Sequence, residues 1–127
     1  MDRYDPERAP DPKEWLQLDE AERVILVEAY HRDARVPLPR KARRLHATIH
    51  AVVENQLALN DEPVVRALGR LRREGLSRHD AVRAIGSRVA EHICDTLKVQ
   101  DTPEVSNARC HAAIERLTAA GWRTRDS

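Results

Sequence analysis

The sequence predicts an all-α, single-domain bundle of about five helices with an irregular, Pro-rich N-terminal arm. Apolar residues recur at helical spacing: Leu45, Ile49, Val52, Val53, Leu57 and Leu59 share one arc, and Val82, Ile85, Gly86, Val89, Ile93 and Leu97 share another. Start and stop residues bracket these segments. No period-2 alternation of useful length points to a strand, and no repeat or low-complexity stretch intervenes. A chain of 127 residues fits one domain, a size that buries about 65 to 70% of its unfolded surface.

Residues 1–18 are expected to be an extended arm packed on the body. Three of the seven prolines, Pro6, Pro10 and Pro12, lie there, and each holds the preceding residue in an extended conformation. Trp15 and Leu16 are expected to pin it. The helical domain spans residues 19–121. Asp19 and Glu22 have the spacing of a capping box, opening a helix that reaches about Ala34. A loop with Pro37 and Pro39 leads to a second helix, about Lys41 to Leu59, with Asn60 as a left-handed cap. Asp61 caps a third, with Pro63 in its first turn and Gly75 at its stop. Ser77, with Asp80 three residues on, starts the fourth, about Arg78 to Lys98, and Thr102-Pro103 starts a fifth ending at Gly121. Residues 122–127 form a C-terminal tail, with Trp122 as a hydrophobic cap on the last helix.

Composition excludes several classes. There are only four aromatic residues outside histidine, Tyr4, Trp15, Tyr30 and Trp122, and no Phe, which argues against base stacking on nucleic acid. The longest aliphatic run, Val24 to Val27, is far short of the roughly 18 apolar residues of a membrane span. The acidic, Pro-broken start lacks the features of a signal peptide, so a cytoplasmic location is expected. Cys94 and Cys110 lack CxxC spacing and read as buried thiols.

Charge is balanced overall but uneven along the chain. Residues 1–35 hold ten acids and six bases, residues 36–98 seven and twelve, and the rest four of each. An acidic start beside a basic middle is the pattern of two parts that pack together. The third and fourth helices, joined by Gly75-Leu76-Ser77, have the turn length of a helix-turn-helix and carry Arg66, Arg70, Arg72, Arg73, Arg78 and Arg88. Leu71 stands where such turns want a small residue, and Glu74, Asp80 and Glu91 interrupt the basic stripe, so a nucleic-acid partner is not expected.

The histidines carry the strongest chemical signal. His46 falls inside the buried arc of the second helix, His50 at its edge and Glu54 one step beyond, an i, i+4, i+8 row. Gln56 lies near the middle of that arc. On the fourth helix His79 sits within the buried arc and Arg83 at its rim. Buried polar groups cost about 1 to 3 kcal/mol each when unpaired, so His46, Gln56 and His79 are expected to meet across the interface. The positive helix start disfavours protonation of His79, and neutral imidazole is the form that binds metal. His46, His50, Glu54 and His79 therefore have the composition of a site for zinc or another first-row transition metal. The competing reading is a hydrogen-bonded core network of His46, Gln56 and His79, with His50 and Glu54 solvated. His31 is placed at a helix end, where a cationic imidazole suits the C-terminal dipole, and no catalytic dyad or nucleophile is legible.

Three stretches resemble an uncharacterised family of small bacterial proteins of unknown function. They are Ala9-Pro10-Asp11-Pro12 through Leu18-Asp19-Glu20, His46-Ala47 through His50 and Glu54-Asn55-Gln56, and Gly75-Leu76-Ser77-Arg78-His79-Asp80-Ala81 with Ala84-Ile85-Gly86. The resemblance implies an H-A-x-x-H-x-x-x-E-N-Q helix opposite a G-L-S-R-H-[DE]-A helix start, with a further histidine where this chain has Arg83. An arginine beside a cation is electrostatically unfavourable, so Arg83 is expected to pair with Glu54 in place of metal. The resemblance implies no activity.

Two function classes remain open. One is a non-enzymatic structural or protein-interaction domain, self-associating or binding a protein partner, whose His/Gln/Glu/Arg cluster fixes helix register. The alternative is a metal-binding protein using His46, His50, Glu54 and His79; a nucleic-acid-binding helical module is a more distant third.

Overall fold

An aspartate followed by a proline starts the first helix inside the expected arm. Asp11 accepts a hydrogen bond from the backbone N–H of Glu14 and Pro12 occupies the first helical position, giving α1, Pro12–Gln17. The structure, a computed structural model, describes residues 1–35, 38–98 and 102–126 and is all-helical among them. After α1 come α2 (Glu20–Asp33), a 3-10 turn (Arg40–Ala42), α3 (Arg43–Ala58), α4 (Glu62–Arg73), α5 (Arg78–Lys98), α6 (Pro103–Arg116) and α7 (Ala119–Asp126).

Seven α-helices thus stand where about five were expected, and both extra ones have local causes. α1 comes from the Asp11-Pro12 start. The expected fifth helix breaks at Leu117, which is extended (φ −67°, ψ 132°), and Thr118 then restarts the chain by accepting from the backbone N–H of Gly121 at 3.0 Å. Trp122 consequently lies within α7 and is buried, instead of capping a terminated helix.

Most end signals act as expected. Asp19 accepts from the N–H of Glu22 at 2.8 Å, Ser77 from Asp80 at 3.1 Å and Thr102 from Val105 at 3.3 Å. Asn60 (φ 59°) and Gly75 (φ 102°) are left-handed at the ends of α3 and α4. Asp61 sits at the α4 cap position without capping, its carboxylate lying 3.4 Å from the ring of His111 instead.

Two apolar clusters share α3. One gathers Val53, Val64, Leu71, Val82, Ile85, Ile114 and Trp122, and the other joins Tyr4, Trp15, Val27, Ala47 and Ala51. Gly86 lets α5 approach α3, since a Cβ there would lie 3.1 Å from Cγ2 of Ile49. Leu45 and Leu59 depart from the expected buried arc and are exposed, because they stand at the two ends of α3, beyond its packed middle. Among the described residues no helix is long and apolar enough to cross a membrane.

Candidate metal centre

Four imidazoles from three helices converge between these clusters. α2 supplies His31, α3 supplies His46 and His50, and α5 supplies His79. The His31 ring centroid lies 4.8 Å from that of His46, 5.4 Å from His50 and 5.8 Å from His79; His50 and His79 are 5.6 Å apart. One ligand nitrogen from each of His31, His50 and His79 falls within 4.8 Å of the other two. A zinc–nitrogen bond of about 2.0 to 2.1 Å implies nitrogens roughly 3.4 Å apart, so small rotamer adjustments would close these rings on one ion.

Hydrogen bonding fixes two tautomers. Nδ1 of His31 lies 2.8 Å from the carbonyl of Val27. A carbonyl only accepts, so Nδ1 carries the proton and Nε2 keeps its lone pair. Tyr4 donates its O–H to Oε2 of Glu54, so the contact at 2.7 Å between Nε2 of His50 and the Tyr4 oxygen must be donated by His50. That leaves the Nδ1 lone pair of His50 for the cluster. Nε2 of His31, Nε2 of His46, Nδ1 of His50 and Nε2 of His79 are all buried without a hydrogen-bond partner.

The site holds its imidazoles neutral. Burial lowers the pKa of all four below the ordinary 6.5, and repulsion from neighbouring imidazoles adds to this at His46, His50 and His79; His46 falls to about 4. The positive charge of Arg83 contributes at His31, His46 and His79. Neutral imidazole with a free lone pair is the ligating form.

Behind His50 lies a closed charged network. Glu54 is fully buried, and its carboxylate takes a bidentate grip from Arg78, Nη2 to Oε1 and Nη1 to Oε2, both 2.8 Å. Arg78 also donates to the Pro6 carbonyl at 2.9 Å. Burial opposes the guanidinium charge, but Glu54 more than offsets it and holds the Arg78 pKa above its usual value. Burial, with the Glu54 carboxylate beside it, pushes the Tyr4 phenol far above its ordinary range.

These placements revise several expectations. The His50 ring lies 5.6 Å from that of His79 and 6.4 Å from that of His46, so His50 stands between the two. Glu54 is neither solvated nor turned to the imidazoles; Arg78 and Tyr4 occupy its oxygens, so it supports His50 through Tyr4. Arg83 does not pair with Glu54 but lies 3.7 Å from Asp80, with its guanidinium 5.5 Å from the Trp122 ring centroid. Gln56 is half-buried and its Oε1 accepts no hydrogen bond, so it forms no bonded network with the imidazoles. His31 joins the cluster instead of serving the helix dipole. Its signal was present, since it shares a helix face with Val24 and Val27 at i, i+4 and i+7 spacing. Tyr4 gave no periodic signal. Cys110 is buried, whereas the side chain of Cys94 lies outside the described residues.

A cleft of about 340 Å³ leads to this cluster, lined by His46 and His50 together with Ile49, Val82, Arg83 and Trp122. No protein-family model, curated protein or solved structure matches the chain.

Proposed function

We propose that the protein is a metal-binding protein whose centre is formed by His31, His46, His50 and His79, taking zinc or another first-row transition metal. The observation that carries this reading is the set of four buried, unpartnered ring nitrogens in one cluster of rings, three of whose histidines, His31, His50 and His79, each bring a ligand nitrogen within 4.8 Å of the other two. Each such atom costs about 1 to 3 kcal/mol when left unpaired. None of the four bonds to another, so a shared Lewis acid is the partner that satisfies them together. The bonds that His31 and His50 donate to Val27 and Tyr4 are the outer contacts that orient ligating histidines. On this reading residues 19–121 act as one helical bundle around the centre, and the arm supplies Tyr4 as a second layer.

The metal-free structural reading draws support from the Tyr4–Glu54–Arg78 network, which is complete without an ion and would fix the register of α3 against α5. It leaves the four nitrogens unexplained. Nucleic-acid binding has little support: Arg66 pairs with Glu62 and Glu115, Arg70 donates to the carbonyls of Ile114 and Leu117, and Arg78 is buried.

Equilibrium titration of the untagged, metal-free protein with zinc, iron(II) and manganese(II) tests the proposal. Saturable stoichiometric binding that weakens in His50→Gln and His79→Gln supports it. Absence of binding by all three ions would leave the structural reading.

A further inference from the structure

The cleft beside the imidazoles has the chemistry of a ligand site. Its volume of about 340 Å³ is at the lower end of the roughly 300 to 1,000 Å³ of small-molecule sites. His46 and His50 form one part of the wall, so a ligand in the cleft lies against two residues of the proposed centre. Ile49, Val82, Gly86 and Trp122 give apolar surface, and Arg83 contributes a cation.

Charge balance decides the kind of ligand. Four neutral imidazoles leave the charge of a divalent ion uncompensated, and a partly buried charge needs a counter-charge. None of the described carboxylates near the cluster bonds to its four unpartnered ring nitrogens. Glu54 is held by Arg78, Asp80 pairs with Arg83, and Glu7 accepts from the backbone N–H of His79 at 2.8 Å. A carboxylate from outside the chain, seated in the cleft, would supply that charge beside the ion.

We infer that the cleft binds a small organic carboxylate, its headgroup between the metal and Arg83 and its apolar body against Ile49, Val82 and Trp122. This rests on the metal-centre reading. The headgroup supplies the compensating charge, and Arg83 at the rim steers and holds it. A guanidinium that would repel a bare cation is favourable once an anion lies between the two. Position 83 then sets ligand preference instead of completing the metal shell.

Cobalt(II)-loaded protein, titrated with benzoate and with acetate while its visible absorption is followed, tests the inference. Benzoate is expected to change the cobalt spectrum saturably, to bind more tightly than acetate, and to bind the metal-free protein far more weakly. Arg83→Gln is expected to weaken benzoate by about tenfold, the loss of one charge-assisted contact, with unchanged cobalt stoichiometry. Ala90→Trp, which fills the cleft, is expected to abolish benzoate binding and keep the cobalt; circular dichroism checks that both variants fold. Stoichiometric cobalt with a spectrum indifferent to both carboxylates would overturn the inference and leave the metal centre standing. Undiminished benzoate affinity in Arg83→Gln or Ala90→Trp would also overturn it, as would equal affinities for benzoate and acetate. Failure to bind cobalt at all would remove the metal reading and the inference with it.

Discussion

His31 turns its Nδ1–H back to the carbonyl of Val27, one turn earlier on the same helix, at 2.8 Å. That bond leaves the lone pair on the buried Nε2, and the rings of His46, His50 and His79 lie 4.8 to 5.8 Å from the His31 ring, centroid to centroid. A helix end that would suit a cationic histidine holds a neutral one, because burial outweighs the favourable backbone contact.

Tyr4→Phe is expected to free Nε2 of His50 and to remove one donor from Glu54. The loss should be about 1 to 3 kcal/mol in urea unfolding of the metal-free protein. Metal affinity should fall about 10- to 100-fold by chelator competition, the usual effect of removing an outer contact to a ligating histidine.

Arg78→Met leaves the Glu54 carboxylate buried without a counter-charge, so a loss of about 3 to 5 kcal/mol is expected. Glu54→Leu combined with Arg78→Met should recover much of it, since an apolar pair replaces two buried charges. Denaturant midpoints of the single and double variants measure this. Recovery of stability without recovery of metal affinity would separate the network's structural role from its support of His50.

The stability of the metal-free protein should fall as pH drops below the ordinary histidine value of 6.5. Folded-state values lie below that of the unfolded chain, so the unfolded chain takes up protons first. The slope begins at 6.5 and continues down to about 4 for His46, and the four clustered histidines add no slope at higher pH. Thermal unfolding at about pH 7 and about pH 5 checks the sign, and bound metal should be released over the same range as protons compete for the lone pairs.

Arg83→His removes a positive charge felt at His31, His46 and His79 and adds an imidazole at the rim. Metal affinity is expected to rise, by about tenfold for each 1.4 kcal/mol of repulsion relieved. Chelator competition on the two proteins side by side reads this.

Much of the architecture was legible because it is local. Asp19, Ser77, Thr102, Asn60 and Gly75 set helix ends through bonds and dihedrals that need only their own neighbours. His46, His50 and His79 were legible because a helical period fixes which face a side chain shares. What stayed hidden depends on which elements meet. Glu54 was expected to meet Arg83, and the packing of α3 against the start of α5 brings Arg78 to it instead. Tyr4 reaches the core from an arm without periodicity, and only its seat between Trp15, Tyr30 and His50 explains it. The break at Leu117 had a readable signal in Thr118, a capping residue inside an otherwise continuous apolar pattern.

The most direct test is the metal content of the untagged protein purified without chelator, beside a His31→Gln variant. The expected result is stoichiometric zinc or another first-row metal in the parent and a marked loss in the variant, with both proteins helical. A folded parent that stays substoichiometric after loading with zinc, iron(II) and manganese(II) would contradict the proposed four-histidine centre.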